Sequence, residues 1–367
     1  MKIVIVGPLP PYRGGIAHSN YILCRNIAKG NDLTAISFSR LYPKSLYPGK
    51  FQEIGAPPEY GFKVESILDA INPLNWIMVS LKIRELNPEQ VTLQWWHTFF
   101  TPAYFTIAVM AKLLTKAKVS MVVHNALPHE SSFLHRILTR IMFSQADFFV
   151  ALSASDVENI KALKKGAKAG FLQEPAYSDY FAGGNDAKNG LKHRVLFFGF
   201  VREYKGLHYL IDAMPAILKE LPGMKLDIVG EFWKDKGEYL AQISGLGIGS
   251  SVNVIDRYVR DEEVGDIFSG ADAVILPYVS STHTAVVQLA AGFGLPVIST
   301  DVGGNRDVIE SGKNGILVKP KDSMAIADAV VKFYKKGLWK EFRQEMKSKA
   351  GVLGWNREKE AVFFNTK

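Results

Sequence analysis

The chain has 367 residues, 47% of them hydrophobic, and a formal net charge of +8. This length and composition are typical of a soluble globular protein with two domains. No apolar stretch reaches the length of a membrane span, and the single cysteine, Cys24, excludes an intrachain disulfide and a cysteine-based metal site. Because the N-terminus lacks a cleavage-type signal, we expect a mature, cytoplasmic protein.

The positive charge is concentrated in the first half of the chain. Residues 1–185 contain 19 Lys and Arg against 13 Asp and Glu, whereas the remainder contains 25 against 23. A basic first half favours an anionic membrane surface or an anionic acceptor as a partner. The basic residues are scattered and no nucleic-acid-binding signature is present, so nucleic acid is not an expected partner.

The N-terminus combines a buried strand, a glycine-rich loop and an amphipathic helix. The apolar run 2–7 predicts the strand, and the spacing of apolar residues over 16–30 predicts the helix. Gly14 and Gly15 stand where the loop meets the helix, so the backbone can approach a ligand closely there. The loop matches neither the dinucleotide-binding nor the Walker fingerprint.

An aromatic segment, residues 95–105, follows the strand predicted at 90–95. Sugars and lipid chains both pack well on aromatic faces, and so does a protein core. Core packing is one interpretation of this segment. With the three lysines that follow it, an interfacial patch is the other. His97 is a candidate ligand-contacting residue, because it lies at the end of the strand.

A histidine and a glutamate mark the end of the next strand, residues 119–125. His124 is placed to contact a ligand, and the alternative is a core histidine whose ring is bonded to backbone. Glu130 is a candidate general base, or else an ordinary charge at a helix start. His124, His129 and His135 lack the His-Glu-x-x-His spacing, so no metal site is predicted.

Strand-like runs alternate with helical ones through both halves, with a joint at 175–193 that is rich in Gly, Asn and Ala. This alternation predicts two doubly wound parallel sheets with helices on both faces. Ligands bind such sheets beyond the carboxyl ends of the strands. The predicted strands are 2–7, 33–38, 90–95, 119–125 and 148–152 before the joint, and 194–199, 225–231, 252–257, 273–278, 296–301 and 315–319 after it.

The stretch 195–211 carries the main binding motif. An apolar strand ends at Gly199, a short loop presents Arg202 and Lys205, and Gly206 opens an amphipathic helix. Backbone amides, the helix dipole and two cations favour a phosphate or diphosphate at this position. The alternative is that both cations are ordinary solvated loop charges. The N-terminal glycine loop, a second phosphate-binding candidate, favours the functional interpretation.

The second half resembles the retaining glycosyltransferases of family 4. The most specific matches are the Gly-Leu-Pro-Val run at 294–297, Thr-Asp-Val-Gly-Gly at 300–304, Asp307 and Ser-Gly-Lys-Asn-Gly at 311–315. The loops that contain Gly14, His124 and Lys205 are similar to the family's loops and follow in the same order. The resemblance therefore extends over nearly the whole chain.

This resemblance implies the GT-B fold, in which two Rossmann-like α/β domains face each other across a cleft. The expected domains are an acceptor-side domain over 1–178 and a nucleotide-sugar-binding domain over 179–352. The last segment, 353–367, is expected to be a helix that crosses back onto the first domain.

The resemblance also implies transfer of a sugar from a nucleoside diphosphate donor with retention of anomeric configuration. By match, His124, Arg202 and Lys205 are the catalytic residues, and the two cations neutralise the donor diphosphate. The acceptor-side residues are His18, His97 and Glu130. The implied donor-binding residues are Gly14, Gly15, Arg257, Tyr258, Val259, Ser281, Thr282, His283, Thr284, Ala285 and Gln288.

The chain departs from the family where two glutamates separated by seven residues are usual. Those positions are Ser281 and Leu289, and a leucine side chain accepts no hydrogen bond. We interpret the chain as a member of a branch with a degenerate motif. The loop 280–284 runs into a helix predicted to begin near Ala285, whose amides can still donate to a phosphate. Gln288 is adjacent to Leu289 but points about 100° away on a helix.

Together these features predict a metal-independent hexosyltransferase in the cytoplasm, at the inner face of the membrane, acting in cell-surface polysaccharide or glycolipid biosynthesis. The expected partners are a nucleotide sugar, a glycan or lipid-linked acceptor and an anionic membrane surface, with no resident cofactor. The chain contains no Asp-x-Asp motif. Two alternatives stay open: a sugar-nucleotide epimerase of the same fold and a non-catalytic nucleotide-sugar-binding protein.

Overall fold

The computed structural model describes residues 1–43, 52–53, 55–127, 132–177, 190–281 and 285–366. It divides into two units, each with its own hydrophobic core. Unit 1 consists of Met1–Glu174 and Trp355–Lys367, and unit 2 of Pro175–Gly354. In the described ranges, every helix is too short or too polar to span a bilayer.

Unit 1 is built on a parallel sheet of seven strands in the order β3-β2-β1-β4-β5-β6-β7. The middle strand β4 is buried along its whole length, because helices cover both faces of the sheet. Its polar side chains Gln90, Thr92 and Gln94 form hydrogen bonds inside the unit. Two short or polar strands at the edges, β3 and β7, are additional to those predicted from the sequence. The strands are β1 (Lys2–Val6), β2 (Asp32–Arg40), β3 (Lys63–Asp69), β4 (Gln90–Trp95), β5 (Lys118–Val123), β6 (Phe148–Ala151) and β7 (Ala169–Phe171).

Helices cover both faces of this sheet. Right-handed crossovers between parallel strands place the helix after β1 on one face and those after β3, β4, β5 and β6 on the other. In this second layer α3 packs between α2 and α4, and α4 contacts α5. The helices are α1 (Gly15–Ile27), α2 (Pro73–Leu86), α3 (Thr101–Leu114), α4 (Phe133–Ser144) and α5 (Ala154–Leu163).

The aromatic segment at 95–105 forms much of the unit 1 core. Trp95, Phe100 and Tyr104 are almost completely buried, and the ring centroids of Trp96 and Phe100 lie 4.2 Å apart. Phe100 also packs edge-on against Phe38 of β2. The burial of these rings favours the core-packing interpretation of the segment.

The C-terminal helix α13 (Arg357–Phe364) belongs to unit 1 and packs on β7. A Cβ atom on Gly170 would lie 2.8 Å from Val362, so glycine allows the helix to approach the strand closely. Lys359 is buried beside Glu174, which itself accepts a hydrogen bond from Ser19 of α1. Burial lowers the pKa of Lys359 to about 8, against the opposing effect of the Glu174 carboxylate.

Unit 2 contains a parallel sheet of six strands in the order β10-β9-β8-β11-β12-β13. Its strands are β8 (Arg194–Phe198), β9 (Lys225–Val229), β10 (Val252–Ile255), β11 (Ala273–Leu276), β12 (Val297–Thr300) and β13 (Gly315–Val318). Its helices are α6 (Leu207–Glu220), α7 (Lys236–Gly245), α8 (Asp261–Ser269), α9 (Ala285–Gly292), α10 (Asn305–Val308), α11 (Ser323–Lys335) and α12 (Trp339–Val352).

Glycines allow the backbone to fold tightly at the carboxyl edge of this sheet. Gly206 has a φ of +63°, and a Cβ atom there would lie 2.1 Å from the carbonyl oxygen of Pro277. A Cβ on Gly230 would lie equally close to the carbonyl oxygen of Gly199. No side chain fits at these contacts, so the loop that follows β8 is packed directly on the loops after β9 and β11.

Replacing Gly206 by alanine tests how strongly this packing constrains unit 2. Gly337 is a matched control, because its φ is +64° and a Cβ there would meet no atom within 4 Å. Both substitutions force alanine into the left-handed region, at a cost of about 1 kcal/mol. We expect Gly206→Ala to lower the free energy of unfolding by roughly 2 kcal/mol more than Gly337→Ala does. Urea unfolding would measure both, and equal losses would contradict the close contact.

Candidate functional site

The candidate site of unit 2 lies at the carboxyl end of β8, a central strand of its sheet. The strand ends at Phe198 and Gly199 follows with a φ of +100°. A single 3₁₀ turn, Glu203–Lys205, leads to Gly206, after which α6 begins at Leu207. The turn therefore places its cations beside the first amides of a helix, which have no partner within the helix.

Lys205 is a buried cation without a counterion among the described residues. Its side chain is only 8% exposed. A Cβ atom added to Gly199 would lie 3.0 Å from the Nζ of Lys205, so the ammonium group packs closely on this glycine. The Nζ also lies 5.5 Å from the centroid of the Tyr278 ring. Burial, together with the positive charge of Arg202, lowers the pKa of Lys205 to about 8. A buried ammonium group without a carboxylate partner is a strong site for an anion.

Arg202 is exposed but held in place by aromatic rings. Its guanidinium carbon lies 4.2 Å from the centroid of Trp233 and 5.8 Å from that of Tyr204. Phe200 in turn packs edge-on against the Trp233 ring. Stacking of this kind orients a planar cation without neutralising its charge. Trp233 was missed in the sequence, because it lies on the separate loop that follows β9.

The loop predicted to border the donor base is tied to helix α8. Arg257 forms two hydrogen bonds with the carboxylate of Glu263, at 2.8 and 2.6 Å. This contact is the main reason why the pKa of the Glu263 carboxyl is lowered to about 2. Val259 is buried and Tyr258 is partly buried. In this structure the Arg257 side chain holds a helix start, and its donor-binding role stays a prediction.

The residues near the family's missing glutamates lie partly outside the described ranges. Thr282, His283 and Thr284 belong to the residues not described, whereas Ser281 is partly buried and Ala285 is the first residue of α9. Leu289 is buried. Gln288 is also buried, and its Oε1 accepts no hydrogen bond within the described part of the chain. An unsatisfied buried acceptor costs about 1–3 kcal/mol, so this amide is poised to receive a donor.

Unit 1 carries its candidate groups at the carboxyl edge of its own sheet. Gly14 is exposed with a φ of +104° and precedes α1, which begins at Gly15. A Cβ on Gly14 would meet no atom of the described structure within 4 Å, so the backbone there is open to a ligand. His18 follows on the same helix and is partly buried.

Two histidines stand at the ends of neighbouring strands of unit 1. His124, directly after β5, is 5% exposed and its Nε2 lies 2.7 Å from Oε1 of Gln94 in β4. His97 follows β4, and its Nδ1 accepts a hydrogen bond from the amide of Phe99. Burial and the nearby ring of His135 lower the pKa of His97. Glu130 lies outside the described residues.

The structure thus brings together Arg202, Lys205 and the glycine turn in unit 2, and separately His124, His97 and the Gly14 turn in unit 1. Within the ranges that the structure describes, no cluster of His, Cys, Asp and Glu is arranged to hold a metal ion.

The chain is similar to known glycosyltransferases. Residues 192–336 match the family model described as glycosyl transferases group 1. An uncharacterized glycosyltransferase of Methanocaldococcus jannaschii is 36% identical over 134 residues, covering 36% of this chain and 33% of the relative. A phosphatidyl-myo-inositol mannosyltransferase of Mycobacterium leprae is 30% identical over 149 residues, covering 40% of this chain and 38% of the relative. The chain spans about a third of the length of these curated relatives.

A solved structure, that of Anabaena Alr3699/HepE in complex with UDP, is similar over the full length. The TM-score is 0.74 and the identity 16%, with 100% of this chain and 99% of that chain covered. This likeness concerns the fold. It confirms the predicted fold class: two parallel-sheet Rossmann-like α/β domains, as in the GT-B glycosyltransferases.

The low pKa of Lys205 predicts how anion binding depends on pH. Only the ammonium form attracts a diphosphate, so we expect the affinity for inorganic pyrophosphate to fall above pH 8, by up to roughly tenfold per pH unit. Lys205→Arg stays charged throughout, and its affinity should not fall from pH 7 to about 10. Calorimetric titration measures both proteins. Parallel profiles would show that Lys205 does not hold the anion.

Proposed function

We propose that the protein is a retaining glycosyltransferase that moves a hexose from a nucleoside diphosphate donor to a glycan or lipid-linked acceptor. One observation carries the proposal: a buried cation, Lys205, lacks a counterion among the described residues and stands beside Arg202. Both residues lie inside the segment that matches the glycosyltransferase family model.

The chemistry of sugar transfer requires positive charge at this position. Breaking the bond between the sugar and the diphosphate leaves one more negative charge on the diphosphate than before. A fixed cation about 4 Å from that charge contributes about 4 kcal/mol at an effective dielectric constant of 20. Two such cations, which need no rearrangement as the charge develops, supply a substantial part of the catalysis of a glycosyl transfer.

The reaction that fits these groups needs no resident cofactor, and we propose that it is metal-independent. The acceptor hydroxyl attacks the anomeric carbon from the face that the diphosphate leaves, so the configuration is retained. The new bond joins the acceptor oxygen to the sugar, the bond to the phosphate oxygen breaks, and the departing phosphate takes the hydroxyl proton. Arg202 and Lys205 hold the departing group, and His124 contacts the donor sugar.

The similar proteins support a nucleotide donor and an acceptor at a membrane. The solved Anabaena structure holds UDP, and the mycobacterial relative is named for transfer of mannose to a phosphatidyl-inositol lipid. We propose, by analogy, that this chain works at the cytoplasmic face of a membrane, where cell-surface polysaccharides or glycolipids are assembled. Contact with the anionic lipid surface is part of this proposal.

Loss of Lys205 should abolish most of the transfer activity. A panel of UDP-, GDP- and ADP-sugars, with a membrane extract as the source of acceptor, identifies the donor by incorporation of labelled sugar. With that donor, we expect Lys205→Ala to lower kcat by roughly 100-fold, because a positive group that faces the developing charge is removed. Lys336 is a matched control, since it is an exposed lysine of unit 2 that forms no ion pair with a described residue, and Lys336→Ala should retain full activity.

The same experiment separates the alternative functions. Release or isomerisation of the sugar in the absence of any acceptor would identify an epimerase. Binding of a nucleotide sugar with no turnover on any acceptor would identify a binding protein. Unchanged transfer by folded Lys205→Ala would overturn the catalytic role of this lysine.

A further inference from the structure

The helix layer of α2, α3 and α4 leaves an apolar face uncovered. Among the described residues, most of the large apolar side chains that remain exposed belong to this layer or to the turn before it. Phe133 and Leu134 at the start of α4 are 77% and 60% exposed, Leu113 of α3 is 76% exposed, and Leu74 and Met78 of α2 are 73% and 66% exposed. We call the exposed face of these helices the α2–α4 surface. A surface so rich in exposed apolar groups indicates a binding partner.

The charge around these apolar groups identifies the class of partner. Residues 70–146, which contain all three helices, have seven Lys and Arg against three acidic residues, Glu85, Glu89 and Glu130. Arg136 and Arg140 of α4 and Lys116 after α3 are exposed, and none of the three forms an ion pair with a described residue. Apolar side chains next to unpaired cations match the two layers of an anionic lipid surface, namely acyl chains and negatively charged headgroups.

We propose that the α2–α4 surface docks unit 1 on an anionic lipid bilayer. This deepens the proposed function, because it names the surface that would bring the protein to a lipid-linked acceptor. The aromatic and leucine side chains at the start of α4 enter the acyl region, and Arg136 and Arg140 remain with the headgroups. Because no helix is inserted across the bilayer, the contact is reversible and sensitive to salt.

Vesicle sedimentation tests this proposal without any donor or acceptor. With vesicles of phosphatidylcholine containing about 30% phosphatidylglycerol, we expect the protein to sediment at low salt and to be released as salt rises. Pure phosphatidylcholine should bind it much less. Phe133→Ser with Leu134→Ser, and separately Arg136→Glu with Arg140→Glu, should each lower the partition coefficient by roughly tenfold or more.

Matched controls come from unit 2. Met324→Ser removes an exposed apolar side chain, and Lys336→Glu reverses an exposed charge, outside the α2–α4 surface. Both should bind like the wild type. Equal binding to neutral vesicles, equal losses in the controls, or sedimentation-equilibrium evidence that the same residues form a dimer instead would overturn the proposal. Vesicle binding by a catalytically silent protein would leave it standing while refuting the proposed function.

A second, independent feature is a hydrogen-bond network of buried amide side chains that ends at His124. The backbone carbonyl of Pro8 accepts a hydrogen bond from Asn20 Nδ2 at 2.9 Å, and Asn20 Oδ1 accepts one from Gln94 Nε2 at 2.9 Å. Oε1 of Gln94 then faces Nε2 of His124 at 2.7 Å. Asn20 and Gln94 are completely buried, and a Cβ on Gly7 would lie 2.4 Å from Gln94, so glycine makes room for this side chain.

The donor-to-acceptor direction of the hydrogen bonds in this network is fixed at one end. A backbone carbonyl can only accept, so Asn20 must turn its NH₂ group to Pro8 and its oxygen to Gln94. Gln94 must in turn present its oxygen to the imidazole, which has to donate from Nε2. We infer that Asn20 and Gln94 are positioning residues that hold neutral His124 with its proton on Nε2. Nδ1 is then the ring nitrogen that carries no proton.

Nitrogen NMR of ¹⁵N-histidine-labelled protein tests the inference, with His124→Gln identifying the resonances. At neutral pH we expect a protonated Nε2 and an unprotonated Nδ1. Gln94→Glu should raise the pKa of His124, because a carboxylate stabilises the imidazolium. Gln90→Glu is a matched control on the same strand, where Gln90 is buried and bonds Thr92 and Ser120 instead.

The wild-type spectrum decides the matter even where a variant fails to fold. A proton on Nδ1 of neutral His124, or a doubly protonated ring at neutral pH, would overturn the inference. A pKa of His124 that is equal in Gln94→Glu and Gln90→Glu would overturn the positioning role of Gln94. The spectrum requires no substrate, so its outcome is separate from that of the transfer assay.

Discussion

The burial of Lys205 without a counterion is the constraint on which the functional interpretation depends. A lysine is almost never buried in this way unless it is paired, and here the described surroundings supply a glycine, an aromatic ring and a second cation. The second cation, Arg202, makes the ammonium form of Lys205 less stable, and neither the glycine nor the aromatic ring neutralises its charge. The position is therefore unfavourable in the isolated protein and becomes favourable when an anion binds. The stacking of Arg202 on Trp233 extends the same positive region outward.

Parallel sheets explain why the sequence predicted so much of this arrangement. Buried central strands such as β1 and β8 are nearly continuous apolar runs, and the loops after them must lie at one edge of the sheet. The position of Lys205 beside a helix start follows directly from that rule. The edge strands β3 and β7 could not be predicted, because β3 is polar and half-exposed and β7 has only three residues. Their pairing depends on neighbouring strands rather than on their own pattern.

The parts of the site that the sequence could not predict are contacts between loops. Trp233 lies about thirty residues beyond Arg202, and only the pairing of β8 with β9 brings their loops together. Likewise, Arg257 belongs to the predicted base-binding loop, yet its guanidinium forms two hydrogen bonds with the carboxylate of Glu263. A short pattern cannot distinguish a cation kept for a ligand from one used by a helix start. The difference between Lys205 and Arg257 is visible only in their partners.

The free energy of burying Lys205 argues against a purely structural role. Its pKa is about 8 in the folded protein and 10.5 in the unfolded chain, which corresponds to a cost on the order of 3 kcal/mol at neutral pH. Because the unfolded chain holds more protons between pH 8 and 10.5, stability rises with pH across that window. A methionine would fill the same volume without this cost. Binding of a diphosphate to the folded protein would restore this free energy. A ligand-binding role therefore explains why a charged side chain that destabilises the fold at neutral pH stands here.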